Sequence, residues 1–152
     1  MMTTKNIRAC LAFLGNPQHA YQSVHVGGTN GKGSTSYFLS QMLETSKKIG
    51  LYTSPFYMKR FDNIWVDGKQ VDAIEAYYLQ YKQTFQAFDL TPFEEETALA
   101  FIVFKLLDID IAIVEVGLGG THDATNVIEA EVSIITSCSI EHEEILGPTL
   151  YD

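Results

Sequence analysis

The stretch HVGGTNGKGSTSYF, from His25 to Phe38, decides how this chain folds. Before it stands SVHVGG, a β-branched segment that predicts a strand from Ser23 to about Gly27. After it, STSYFLSQMLETSKK predicts a helix with Phe38, Met42 and Leu43 on one face. Glycines are concentrated in the connection, where they permit positive φ and bring backbone N–H groups close to an anion. A strand, a glycine loop and a helix in this order predict a phosphate-binding loop.

Two side chains of this stretch suit a nucleotide phosphate. We expect Lys32 to reach the β- and γ-phosphates and Ser34 to offer its hydroxyl to Mg²⁺. The spacing departs from GxxxxGK[ST], because Gly33 stands between the lysine and the hydroxyl. The order of the glycines also excludes a dinucleotide-binding fingerprint. A glycine-rich turn with an incidental lysine is the alternative, but strand, loop, lysine, hydroxyl and helix all favour phosphate binding.

Composition bounds the class of protein. The chain has 152 residues and a net charge of -9, since 19 acidic residues outnumber 10 basic ones. This balance disfavours binding to a nucleic-acid backbone. The longest apolar run, Ala98–Phe104, is too short to span a bilayer, and Cys10 and Cys138 are expected to be two reduced thiols. We therefore expect a soluble cytoplasmic protein without a nucleic-acid or membrane partner.

Helical patterns alternate with strand patterns along the chain. Helices are expected over NIRACLAFLG near the start, from Asp72 with Glu75 as its capping-box partner, and from Thr91 with Glu94 in the same role. The helix predicted from Asp72 carries an apolar stripe, which suits core packing better than a ligand-facing role. The three glutamates Glu94–Glu96 are expected to be solvated. The stripe consists of Ile74, Tyr78, Tyr81, Phe85 and Phe88.

The strand patterns complete the fold prediction. IGLYTS, IDIAIVEVGLGG and EVSIITS are strand candidates, and Asp67-Gly68 predicts a hairpin turn. Long apolar strands alternating with helices predict an α/β fold with a mostly parallel sheet flanked by helices.

Four polar residues follow, or nearly end, predicted strands. They are Ser34, Ser54, Glu115 and His142. The carboxyl ends of parallel strands share one edge of a sheet, so these side chains are expected to meet there and hold Mg²⁺ beside a triphosphate. Taken singly, Glu115 has the alternative of an exposed strand end, and His142 that of a structural or exposed histidine.

Several of these motifs together resemble one family. HVGGTNGKGS, LYTSPF, EVGLGGTHDATNVI and SIEHEEILG resemble, in order, the folylpolyglutamate synthase/dihydrofolate synthase family of the Mur ligase superfamily. The resemblance implies the P-loop NTPase-like central domain of Mur ligases. It also implies that residues 1–152 form a single, incomplete ATP-binding domain, without the C-terminal Rossmann-like domain of the family.

The resemblance also implies an activity. Members use ATP to activate a folate or dihydropteroate carboxylate as an acyl phosphate, which the amine of L-glutamate then attacks. Lys32, Glu115 and His142 would then be catalytic; Ser34, Ser54 and Glu115 would serve a first Mg²⁺, and Glu115 and His142 a second. The full-length family would be monomeric. The ATP loop would consist of Gly28, Thr29, Asn30, Gly31, Lys32, Gly33 and Ser34.

Departures from the family keep other functions open. The RFNERI-like segment of the family is KRFDNI here, from Lys59 to Ile64, and Glu141 stands where an aspartate is usual. The shortness of the chain predicts a fragment with little or no activity alone. The alternatives are a nucleotide-binding remnant or interaction module, and another P-loop enzyme such as a kinase or NTPase.

Overall fold

A six-stranded sheet organises the part of the chain that the structure describes. In this computed structural model, residues 3–140 and 142–149 are described, so Glu141 lies outside them. The strands run in the spatial order β4-β3-β2-β5-β1-β6, and β2, β5, β1 and β6 are mutually parallel. This confirms the predicted mostly parallel α/β fold. The strands are β1 (Gln22–Gly27), β2 (Ile49–Tyr52), β3 (Ile64–Val66), β4 (Lys69–Gln70), β5 (Ile111–Glu115) and β6 (Val132–Ile135).

Helices cover both faces of the sheet. One side carries α2, which packs against β1, β2 and β5; on the other, α4 packs against β2 and against α1 and α3. The larger core cluster lies on the α4 side and includes Tyr52, Phe101 and Phe104. The helices are α1 (Lys5–Phe13), α2 (Lys32–Leu43), α3 (Ile74–Ala87), α4 (Pro92–Leu106) and α5 (Glu143–Leu146).

The strand register aligns the carboxyl ends of the central strands. Val26 in β1 is paired with Glu115 at the end of β5, and Tyr52 at the end of β2 is paired with Val114. On the other side of β1, Gly27 is paired with Ile135 at the end of β6. The loops after β1, β2, β5 and β6 therefore leave the sheet along one edge.

Helix α2 turns a different face to the sheet than the sequence predicts. Phe38 is 65% exposed and Met42 is also exposed, whereas Ser36 and Ser40 are fully buried. Leu43, the third residue of the predicted face, packs against the smaller core cluster. Small serines let the helix approach the strands closely, so the two larger side chains face outward.

The apolar stripe of α3 packs as predicted, but the start of the helix is different. Phe85 is fully buried, and the other four stripe residues pack against the larger core cluster. The expected capping box of Asp72 and Glu75 is absent: Ala73 is the N-cap residue, with φ 55°, and no side chain caps the helix. Ala73 accepts hydrogen bonds from Ala76 and Tyr77 through its carbonyl oxygen instead.

Helix α4 begins as the sequence predicts. Thr91 Oγ1 accepts a hydrogen bond from Glu94 N, and the Glu94 side chain accepts one from Thr91 N, which is a complete capping box. The expectation of solvated glutamates is wrong, because Glu94 and Glu96 are buried. Their burial follows from the helix as a whole, which lies between the sheet and α1 and α3.

The remaining local predictions agree with the structure. The hairpin between β3 and β4 turns at Asp67 and Gly68, both with positive φ. α1 ends before Gly15, which also has positive φ. Within the described residues, no helix combines the length and apolar character needed to cross a bilayer.

Candidate functional site

The loop between β1 and α2 requires its glycines. Gly28 has φ 128°, and a Cβ there would lie 2.2 Å from Thr136 Oγ1. Gly31 has φ 86° and is the N-cap residue of α2. Both residues adopt the left-handed backbone that favours glycine, so the loop holds a shape that side chains would prevent.

The segment after β6 supports this loop through hydrogen bonds. Thr29 N donates to Ser137 O at 2.8 Å, and Asn30 N donates to Ser137 Oγ at 3.0 Å. Thr29 Oγ1 accepts from Ser139 N at 3.0 Å. The glycine loop is therefore bound to the chain that leads toward His142.

Lys32 lies over the loop that carries it. Its Nζ donates to Gly28 O at 2.7 Å and to Thr29 O at 3.3 Å. The ammonium thus stands at the N-terminus of α2, where the helix dipole is already positive. Loop amides, helix terminus and ammonium together form a site that attracts an anion.

Glu115 is the buried carboxylate of this edge. It is 4% exposed, which rules out the exposed strand end, and its Oε2 accepts a hydrogen bond from Ser54 N at 3.1 Å. A Cβ added to Gly33 would lie 3.3 Å from the same oxygen, so the carboxylate faces the first turn of α2. Burial raises the pKa of Glu115 above its usual value, against the opposing effects of the Ser54 N–H and the Lys32 charge.

The donor set fits a divalent cation. Within the described residues, Glu115 is buried without an ion-pair partner, and such a carboxylate is costly unless a cation or hydrogen bonds compensate it. Carboxylate and hydroxyl oxygens are ligands that Mg²⁺ prefers. No group of three or more His, Cys, Asp or Glu side chains in the described chain is placed to hold a metal ion. A magnesium site here would depend on serine hydroxyls, phosphate oxygens and water beside Glu115.

The predicted site residues are brought together to different degrees. One hydrogen bond links Lys32 to Gly28 and another links Glu115 to Ser54, and the Glu115 carboxylate faces Gly33. Ser34 follows Gly33 and lines an apolar cavity of about 370 Å³ with it. His142 is exposed and precedes α5, with φ 49°, and no hydrogen bond or ion pair joins its side chain to Glu115 within the described residues.

α5 nevertheless lies against the glycine segment after β5. A Cβ on Gly119 would be 2.7 Å from Leu146 Cδ2. Along the chain, His142 comes after Ser139, which is hydrogen-bonded to the glycine loop, and directly precedes α5.

Asp123 organises the same glycine segment, a role that sequence reasoning did not assign. Its Oδ2 accepts from Leu118 N at 2.8 Å, and its Oδ1 accepts from Thr125 N and Thr125 Oγ1. Thr125 Oγ1 lies 2.8 Å from His25 Nε2, and burial lowers the pKa of His25 although Asp123 acts to raise it. An Asx turn in GTHDATN was the available signal.

The loop that contains the KRFDNI segment is held by one carboxylate. Asp62 Oδ2 accepts hydrogen bonds from Met58 N and Lys59 N, and Oδ1 accepts one from Tyr57 N. Desolvation acts to raise the pKa of Asp62, but these three bonds outweigh it and lower the pKa. The loop therefore keeps a defined shape while it exposes Met58, Tyr57 and Phe56.

Comparison with known proteins identifies relatives along nearly the whole chain, although no protein-family model matches it. Folylpolyglutamate synthase of Lacticaseibacillus casei is 38% identical over 156 residues, covering 96% of this chain. Dihydrofolate synthase/folylpolyglutamate synthase of Bacillus subtilis is 38% identical, covering 95%. This chain spans 36% of the length of each. A solved FPGS–AMPPCP–folate complex superposes with a TM-score of 0.87 and 39% identity, over 97% of this chain and 38% of that one.

Proposed function

Because this chain is homologous over nearly its whole length to the folylpolyglutamate and dihydrofolate synthases, we propose that it binds MgATP at the carboxyl edge of its sheet. For the whole protein we propose an ATP-dependent ligase that adds L-glutamate to a folate or to dihydropteroate. Residues 1–152 would form its ATP-binding domain. One observation carries the proposal: the Glu115 carboxylate lies between the Ser54 N–H and Gly33, beside a glycine loop covered by Lys32.

The reaction transfers the γ-phosphoryl group of ATP to a carboxylate oxygen. ADP leaves, and the carboxylate gains a leaving group that it otherwise lacks. The glutamate amine then attacks the acyl carbon, an amide forms, and inorganic phosphate and a proton are released. Lys32 and the amides of Gly28–Ser34 would hold the phosphates in place while negative charge moves between oxygens.

Metal ligation in this proposal follows from oxygen ligands at the same edge. Ser34, Ser54 and Glu115 would hold a first Mg²⁺, and Glu115 and His142 would hold a second. When bound, the metal neutralises the charge that develops on the transferred phosphoryl group. The burial of Glu115 without an ion-pair partner among the described residues and the exposed Ser34 hydroxyl beside the α2 N-terminus support the first set. For His142, the support is its position between Ser139 and α5.

Substrates and assembly belong to the proposal as well. The AMPPCP and folate of the solved relative support a nucleotide and a folate-type substrate here. Dihydropteroate as acceptor, L-glutamate as the amine, and a monomeric full-length enzyme remain proposals.

A second candidate function is nucleotide binding without turnover. The observation that favours it is length, because this chain spans 36% of each of these two relatives.

One pair of measurements tests these functions. Isothermal titration calorimetry with MgATP should show binding, and its absence would contradict the proposed site. ADP release by the whole protein should then be followed with dihydropteroate or folate, each with and without L-glutamate. Release that depends on both substrates supports the ligase, and binding without release supports the second candidate. A phosphorylated product that forms and persists without any amine would indicate a kinase.

A further inference from the structure

The peptide group between Thr53 and Ser54 is hydrogen-bonded on both sides. Its N–H donates to Glu115 Oε2 at 3.1 Å, and its carbonyl oxygen accepts from Asn63 Nδ2 at 2.6 Å. The N–H and C=O of a planar trans peptide point in opposite directions. The hydrogen bond from Asn63 to Thr53 O therefore fixes the orientation of the peptide group whose N–H donates to Glu115.

Asn63 is itself fixed by a buried carboxylate. Its Nδ2 also donates to Glu96 Oε1 at 2.8 Å, and the same oxygen accepts from Tyr52 OH at 3.1 Å. Asn63 is fully buried and Glu96 is 5% exposed. Both neighbours of the amide are acceptors, so the nitrogen must face them and the side chain cannot flip without losing two bonds.

We propose that Asn63 and Glu96 are positioning residues that act through the Thr53–Ser54 peptide to hold the Glu115 carboxylate in place for the magnesium nucleotide. The role of the carboxylate rests on the proposed function, whereas the hydrogen-bonded chain from Glu96 to Ser54 does not. A purely structural role would affect stability alone. A positioning role affects the metal requirement more than it affects nucleotide binding without metal.

The first test separates these two roles with Asn63→Ala. We expect the Mg²⁺ concentration for half-maximal ATP binding to rise about tenfold, while ATP affinity in EDTA, which depends on Lys32 and the loop, changes less than twofold. Gln70→Ala is the matched control, because Gln70 Nε2 donates to the nearby Asp62 O and not to this network. An unchanged Mg²⁺ requirement in folded Asn63→Ala would overturn the proposal.

A second pair of variants tests Glu96. Glu96→Gln keeps an acceptor for Tyr52 and Asn63, so its Mg²⁺ requirement should stay within about twofold of the original, whereas Glu96→Leu should behave like Asn63→Ala. Melting temperatures are measured alongside. Equal Mg²⁺ requirements for the two Glu96 variants, with only their melting temperatures differing, would show a structural role and contradict the proposal.

Amide hydrogen exchange provides a readout that needs neither a variant nor ATP. In the metal-free protein, Ser54 N–H should be protected, and its NMR resonance should shift in Glu96→Leu but not in Glu96→Gln. An unprotected Ser54 amide would overturn the positioning inference even if MgATP binds. If the amide is protected but MgATP does not bind, the proposed function is contradicted. The hydrogen-bonded chain from Glu96 to Ser54 would then position Glu115 without serving a nucleotide.

Discussion

Lys32 concentrates positive charge where the loop already presents backbone amides. Its ammonium is held by two carbonyl oxygens and by no carboxylate within hydrogen-bonding distance in the described residues. A phosphate group can therefore approach without breaking an ion pair.

The Lys32→Ala variant should lose nucleotide affinity while it keeps the fold. We expect MgATP binding to weaken at least tenfold, about 1.4 kcal/mol or more, because a charge-assisted contact to phosphate is lost. Calorimetry measures the affinity, and circular dichroism checks the fold. Lys82→Ala, on the exposed side of α3, is the control. Equal affinities for the two variants would remove Lys32 from the site.

Substitution of Gly33 by alanine should weaken metal binding without lowering stability. In Gly33→Ala, the new Cβ would lie 3.3 Å from Glu115 Oε2, so the carboxylate must shift. Alanine is also the better helix former, by up to about 1 kcal/mol. We expect an unchanged or higher melting temperature together with a several-fold greater Mg²⁺ requirement for ATP binding.

Gln41→Ala, on the exposed side of the same helix, controls for helix propensity. A lower melting temperature with an unaltered Mg²⁺ requirement would show that Gly33 is needed for packing and not for access to Glu115.

Single residues differed in how far the sequence revealed them. The glycine loop and Lys32 could be placed because their chemistry is local: glycines, a lysine and a helix start follow one another along the chain. The bonds of Glu96 and Asp123 could not, because each reaches partners that only the folded sheet brings close. Three consecutive glutamates look solvated in sequence, and only the packing of α4 buries two of them.

At the scale of elements, the start of α4 can be compared directly with the start of α3. Thr91→Ala should destabilise the protein by about 1 kcal/mol, because Glu94 N loses its acceptor. Asp72→Ala should change the free energy of unfolding by less than about 0.5 kcal/mol, because Asp72 is exposed and caps no helix. Urea denaturation measures both. Equal losses would contradict the observed difference between the two helix starts.

Elements with one dominant local signal were predictable, and those decided by packing were not. The central strands, the Asp67-Gly68 hairpin and the α4 cap follow from β-branched runs and turn chemistry. The predicted inward face of α2 was wrong, because the larger apolar residues were expected to face the sheet. The close approach of the helix to the sheet instead places Ser36 and Ser40 there. The expected α3 cap failed because Ala73 adopts positive φ, which a sequence rule does not anticipate.

For the whole molecule, the two cysteines report whether the fold is intact. Cys10 is fully buried, and burial, with Glu94 acting in the same direction, raises the pKa of its thiol to about 11. At pH 8 only about one thousandth of it would be thiolate, the reactive form. Iodoacetamide should therefore modify exposed Cys138 in the native protein and Cys10 only after denaturation, as peptide mass spectrometry would show. Rapid native alkylation of Cys10 would contradict the packing of α1.

β6 lies at the end of the strand order, paired with β1 alone in the described part of the sheet. It carries the half-exposed Val132 and the more exposed Ile135 on its two faces. It contains none of the charged residues that usually protect an edge strand from pairing with another chain. We therefore expect concentrated samples of this polypeptide to associate edge to edge into oligomers or to precipitate. Preparations for crystallography or NMR would gain from Ile135→Lys, which adds charge beside the open row of backbone groups.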